Sequence, residues 1–169
     1  MNTDVELIAF ARQLRIPLRF IGSKDELKET RLQPGAYIVN LQDDLRADGV
    51  DLTGTHWVAL WVERGSGVYF NSFGMAPPAD IQLFAHKLQP FYYNMHQIQN
   101  IQSGHCGIYV LFFLYWMSQY QNVPLKKRFD NFLRLWSVNP VENLTILKQH
   151  MKQFFWINFF SYGINEYAV

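Results

Sequence analysis

Ser103-Gly104-His105-Cys106-Gly107-Ile108-Tyr109-Val110-Leu111-Phe112-Phe113-Leu114-Tyr115-Trp116-Met117 is the stretch whose reading decides the fold, because the chain's only cysteine opens a long apolar run there. From Cys106 to Met117 there is no charge, and after Gly107 no helix breaker, so the run predicts a helix buried on most sides. It is too short for the roughly 20 residues that span a bilayer. Cys106 then stands at a helix N-terminus, where unpaired N–H groups and the helix dipole favour an anion. The thiolate is the nucleophilic form of cysteine. That position, and above all a nearby imidazolium, is expected to lower the thiol from its free value of about 8.5. Gly104 and Gly107 leave room for a substrate backbone. The competing reading is a buried, inert cysteine acting as a small hydrophobe.

The composition of the 169-residue chain sets the frame. This length suits one domain, residues 1–169, with a single core. A hydrophobic content of 49% with 17% aromatic residues excludes a disordered chain. The formal net charge of +1 gives no global pull toward nucleic acid, and Lys126-Lys127-Arg128 is the one dense basic cluster. A single cysteine cannot form an internal disulfide, which fits a reducing compartment. No signal peptide, membrane span, internal repeat or low-complexity tract is expected.

Outward from the cysteine, the elements follow from local pattern. Thr3 to Glu6 is a capping-box sequence, with Leu7, Ile8, Ala11 and Leu14 on one face of a helix reaching about Arg15 before Pro17. Leu18 to Pro34 reads as irregular surface, with a short strand over Arg19 to Ile21 as the alternative. Gly35 to Leu41 is β-prone and apolar, as a central strand would be. Gln42 to Thr55 is polar and rich in turn signals. His56 to Val62, a turn at Arg64 to Gly67, and Val68 to Asn71 form the clearest hairpin in the chain. Ser72 to Pro78 is a loop. Asp80 is positioned to cap a helix burying Ile81, Phe84, Ala85 and Leu88 before Pro90. Tyr92 to Ile101 reads as a polar edge strand. Leu125, Phe129, Phe132, Leu133 and Trp136 recur at helical spacing, and Asn139, Pro140 and Glu142 open a last helix burying Leu144, Leu147, Met151 and Phe154. The aromatic density after Leu125 reads as core. An exposed patch of Phe154, Phe155 and Phe159 would contradict that.

His56 opens the first hairpin strand and Asn71 closes the second, so antiparallel pairing brings them to one end. If Cys106 reaches that end, the three residues form a nucleophile, a base and an orienter. An asparagine can hold the ring through its amide oxygen but supplies no charge. His86, His96 and His105 compete as the base. Gln97, Gln99 and Gln102, together with the Cys106 N–H, are candidate donors to an oxyanion. Ordinary strand-end, turn and edge polarity is the plainer reading of each of these residues alone.

Gly54-Thr55-His56-Trp57-Val58-Ala59, Val68-Tyr69-Phe70-Asn71-Ser72-Phe73-Gly74 with Pro77-Pro78, and Gln99 seven residues before Cys106-Gly107-Ile108-Tyr109 together resemble the adenain-like cysteine proteases. Adenoviruses, Maverick/Polinton elements and related large or aquatic DNA viruses encode these enzymes, and SUMO-deconjugating proteases belong to the same superfamily. Asp25-Glu26-Leu27 and Tyr37-Ile38-Val39-Asn40-Leu41 extend the resemblance to roughly residues 1 to 120.

The resemblance implies an α+β protease domain, with a central mixed sheet flanked by helices and the nucleophile at the N-terminus of a buried central helix. His56 would be the base, Cys106 the nucleophile and Gln99 the oxyanion donor, with Trp57 and Gly104 at the substrate and Asn71 where the family usually has an acid. It implies cleavage of capsid and core precursor proteins during virion maturation, after Gly-Gly or Gly-X motifs, by a monomer acting in the virion and inside the host cell, without membrane association. No cofactor or metal is expected. A peptide or DNA activator stays open, but not a disulfide-linked one, since the only cysteine is the nucleophile. The alternatives are a SUMO or ubiquitin deconjugase and, third, a non-catalytic binding module of the same fold.

Overall fold

The computed structural model describes residues 3–42 and 56–155, the side chains of residues 154 and 155 excepted. Thr3 caps α1 (Asp4–Gln13) with the reciprocal bonds of a capping box, its hydroxyl accepting from Glu6 N–H and the Glu6 carboxylate accepting from Thr3 N–H. The next segment is more regular than its sequence indicates. It forms β1 (Leu18–Ser23) and a single 3-10 turn (Glu26–Glu29). β2 (Gly35–Asn40), β3 (Trp57–Glu63) and β4 (Ser66–Phe70) follow. Arg64 and Gly65, at φ 49° and 78°, form the two-residue turn between β3 and β4. Positive φ at both positions matches the right-handed twist of the flanking strands.

The described strands form one five-stranded sheet in the order β1-β2-β3-β4-β5, with β5 at Phe91–Tyr93. The outer pairs are parallel and the two inner pairs antiparallel, so the sheet is mixed and the class is α+β. Both faces are covered. Ala36, Ile38, Trp57, Ala59, Trp61, Val68 and Phe70 pack with α1, α3 (Cys106–Gln119), α4 (Leu125–Leu133) and α5 (Asn143–Phe155). Tyr37, Val39, Val58, Leu60, Val62 and Tyr69 pack with Leu27 and with Ile81, Ala85 and Leu88, in and just after α2 (Ala79–Phe84). Two-sided burial is why β2 and β3 read as continuous apolar runs.

Three local expectations are corrected. α2 (Ala79–Phe84) is short, and Pro78 occupies its cap position, so Asp80 lies inside the first turn and faces Lys24 at 3.8 Å. The edge strand ends at Tyr93 because the Asn94 side chain takes over the ladder. Its Oδ1 accepts from Asn71 N–H at 3.0 Å and its Nδ2 donates to Asn71 O at 2.7 Å, which lets the main chain leave the sheet. Arg128 is not part of a surface basic cluster. It is 1% exposed, and Nη1 and Nη2 grip Glu63 at 3.0 and 2.6 Å. Lys126 pairs with Asp130 at 2.7 Å.

From Cys106 through Leu114 every residue of α3 is buried, as its unbroken apolar run predicts. Phe129, Phe132 and Trp136 join the same core, while Phe154, Phe155 and Phe159 lie outside the described side chains. α3 and β3 run side by side. Their first residues meet at Cys106 and Trp57, and at the far end Arg128 bonds both Glu63 and Met117 O, the latter at 2.7 Å. Six strand steps span about 20 Å, and eleven helix steps about 16 Å, so the two elements are commensurate. Among the described residues no helix is long and apolar enough to cross a membrane, and no three His, Cys, Asp or Glu side chains cluster as a metal site would need.

Candidate active site

The hairpin delivers its two polar ends to one place. His56, immediately before β3, and Asn71, immediately after β4, join through His56 Nε2 and Asn71 Oδ1 at 2.7 Å. The orientation of the Asn71 amide is set independently: Oδ1 accepts from Phe73 N–H at 2.9 Å, and Nδ2 donates to the Tyr69 hydroxyl at 3.2 Å. An oxygen at that position can only accept, so His56 must carry its proton on Nε2. Nδ1 is therefore left as a bare lone pair, and it is buried with no hydrogen-bond partner. Phe73 stacks on the ring, with centroids 4.1 Å apart and planes 13° from parallel.

Asn71 is fully buried, and Asn94 holds its main chain from the other side. The Tyr69 phenol that receives its amide is pushed up to about 12 by burial, against a lowering contribution from Asn71, and so stays neutral. Gly74 closes the loop, with φ 72° and its N–H on Asn71 O at 2.8 Å. A Cβ there would meet the His96 main-chain carbon at 2.4 Å and oxygen at 2.5 Å. Gly74→Ala combines that collision with a left-handed backbone, and is expected to destabilise by at least about 2 kcal/mol. Chemical denaturation would show it. An unchanged midpoint would mean that the loop yields freely.

Cys106 is the first residue of α3, after His105 at the cap position, and is 5% exposed. The main-chain N–H groups of Trp57, Gly107 and Cys106 itself favour the thiolate and pull the thiol down. The Trp57 contact places the sulfur beside the residue that follows His56 in the chain. Burial nevertheless pushes the thiol up, outweighing the N–H groups, which corrects the expectation that the helix end would lower it. Burial also lowers His56, with the Asn71 bond opposing. Both shifts favour the neutral thiol and neutral imidazole in the substrate-free protein.

The other sequence candidates fall differently. His86 bonds Leu83 O on an exposed turn, His96 is exposed, and His105 has a buried Nδ1 without a partner but no orienting amide. Gln102 is exposed and Gln97 half-buried. Gln99 is fully buried, its Nε2 donating to Ser103 O at 2.6 Å and Ser103 Oγ at 3.0 Å. Trp57 is 4% exposed and belongs to the same core as Cys106, so its indole is not on an open surface. Gly104 is exposed, with open space where a Cβ would stand. Sequence reasoning missed Tyr69, Phe73 and Asn94. Tyr69 and Phe73 were visible as neighbours of Asn71 in the strand-end motif, whereas nothing local marked Asn94.

No family model matches the chain, and no curated protein matches it. Among solved structures the chain is similar to the ASFV pS273R protease at 22% identity and TM-score 0.36, over 55% of this chain and 37% of that one. It is also similar to an AvrA deletion variant with IP6 and CoA at 20% identity and TM-score 0.41, over 83% of this chain and 56% of that one. The chain thus spans between about a third and just over half of the length of these neighbours.

Proposed function

We propose that the protein is a cysteine endopeptidase in which Cys106 is the nucleophile, His56 the base and Asn71 the residue that orients it. The observation carrying this reading is the Nε2 bond to Asn71, which leaves Nδ1 bare and unpartnered beside the chain segment that contacts the Cys106 sulfur. The thiol proton passes to Nδ1 as sulfur attacks the peptide carbonyl, giving a tetrahedral oxyanion met by main-chain N–H at the start of α3. Collapse expels the amine, which takes the proton from Nδ1 and leaves a thioester. Water then attacks the thioester with Nδ1 again accepting a proton, releasing the acid and restoring the thiol. The open side of Gly104 suits close approach of a substrate backbone.

The substrates we assign are capsid and core precursor proteins cut after Gly-Gly or Gly-X, during maturation in the virion and infected cell. The burial of Arg128 removes the one dense basic cluster and so weakens the case for a DNA activator. Three assays separate the readings: cleavage of a capsid-derived Gly-Gly peptide, cleavage of SUMO or ubiquitin fluorogenic substrates, and iodoacetamide labelling of Cys106 at pH 6 to 7 with and without His56. Preferential cleavage of the modifier substrates would make the protein a deconjugase. No cleavage, with slow labelling equal in both proteins, would make it a binding module.

The pH profile gives a second check. The base must be neutral to accept a proton, and burial lowers His56, so the imidazole stays competent below its ordinary value of about 6.5. The acid limb of kcat/KM, which reports the free enzyme, is expected to have its midpoint below pH 6.5. A midpoint above 7 would contradict a buried, neutral His56.

A further inference from the structure

The proposed mechanism puts a positive charge on His56, and among the described residues no carboxylate meets it. Burial and the Asn71 bond are the two influences on the ring's proton affinity, burial lowering it and the bond raising it. Asn71 accepts through a neutral amide oxygen. The other titratable groups of the site are the Cys106 thiol at the start of α3 and the Tyr69 phenol on β4. Burial pushes both up, so neither supplies a negative charge.

What faces the imidazole instead is an aromatic ring. Phe73 stacks on it with centroids 4.1 Å apart and planes 13° from parallel, so the imidazole lies over the electron-rich face of the phenyl group and not against its edge. A cation within about 6 Å of a ring centroid on that face is attracted by the ring quadrupole, and more strongly where water is excluded. The stack is also preorganised. Phe73 N–H donates at 2.9 Å to the same Asn71 Oδ1 that holds His56, so one residue fixes the acceptor and covers the ring bound to it. On either side, Ser72 O accepts from Ile98 and Gln99 N–H, each at 2.8 Å, and Gly74 N–H donates to Asn71 O at 2.8 Å. The loop thus presents the phenyl face without rearranging when the proton arrives.

We propose that Phe73 is a positioning residue whose π face supports the His56 imidazolium, taking the part that a carboxylate at position 71 would play. The proposal rests on the protease reading, in which the Cys106 proton passes to Nδ1 and the ring carries the charge until the leaving amine takes that proton.

Fluorination of Phe73 tests the face while nearly preserving the shape, because each fluorine drains the negative face of the ring. Native protein and chains carrying mono-, di- or pentafluorinated phenylalanine at position 73 are compared by the NMR titration midpoint of His56, by peptide cleavage and by iodoacetamide labelling of Cys106. Phe73→Leu keeps an apolar cover and removes the face, and it carries the test if the fluorinated chains do not fold. Support for the cation opposes burial, so weakening it lowers the midpoint further. The midpoint is expected to fall stepwise, by about one pH unit at full fluorination and in Phe73→Leu, with kcat down about tenfold and KM little changed. In Asn71→Asp a carboxylate supplies the charge, and the dependence on fluorination should be at least halved.

A midpoint and kcat unmoved by fluorination, with cleavage still requiring His56, overturn the π support and leave the protease reading intact. A dependence as steep in Asn71→Asp as in the native chain overturns the claim that the ring stands in for an acid. If native and His56→Ala proteins are labelled equally and neither cleaves peptide, the protease reading falls. A midpoint that still moves stepwise then upholds the support as a property of the stacked pair, and one that does not move overturns it as well.

Discussion

Replacing His56 with alanine is expected to lower kcat/KM for peptide cleavage by about 10³-fold or more, about 4 kcal/mol of transition-state stabilisation. The size follows from what the ring does. Burial holds the thiol in its neutral form, so little thiolate exists without a base, and in the proposed mechanism the bare Nδ1 is the acceptor that makes it. Asn71→Ala removes an orienter that carries no charge, and Phe73 still stacks on the ring, so a smaller loss of about 10- to 100-fold is expected. Steady-state kinetics on both variants, with circular dichroism confirming folding, provides the comparison. Equal and complete loss in the two would show that Asn71 does more than orient. Retention of more than about a tenth of activity in His56→Ala would sink the assignment of His56 as base.

Residues whose meaning lies in their neighbours along the chain were legible in the sequence. The Thr3 capping box, the hairpin turn at Arg64-Gly65 and the buried run after Cys106 all depend on positions a few residues apart. The meeting of His56 and Asn71 followed from antiparallel pairing alone. What the sequence concealed depends on pairing across long separations. Arg128 looked like one of three solvated cations because its partner, Glu63, lies 65 residues earlier. Asn94 looked like ordinary edge polarity because its role is to imitate a strand for Asn71, 23 residues away. The direction of the Cys106 shift was misjudged because the helix end is visible in sequence while the depth of burial is not.

Glu63→Ala is expected to be the most destabilising single change at a charged residue of the described fold, at about 3 to 5 kcal/mol. Arginine stays protonated at any ordinary pH, so the guanidinium cannot neutralise itself when its partner is removed. Arg128 is 1% exposed and the Glu63 side chain 21%, so water reaches the guanidinium poorly, and Nε is already buried without a partner. Trp61 Nε1 also loses its acceptor, Glu63 Oε2, at 2.7 Å. Against a typical total of about 5 to 15 kcal/mol, such a loss leaves the protein marginal. The urea midpoint should fall with an unchanged slope. The double variant Glu63→Leu with Arg128→Met removes both charges and should recover most of the loss, because the penalty comes from the stranded cation and not from the absence of a salt bridge. A cost below about 1 kcal/mol for Glu63→Ala would mean that the pair behaves as a solvated surface contact. The consequence for function follows from position. Arg128 ties the far ends of β3 and α3, the two elements whose near ends carry Trp57 and Cys106. Glu63→Ala should therefore also slow alkylation of Cys106 under conditions where the variant is still folded, while the double variant should restore the rate only as far as apolar packing re-establishes the alignment of α3 on β3.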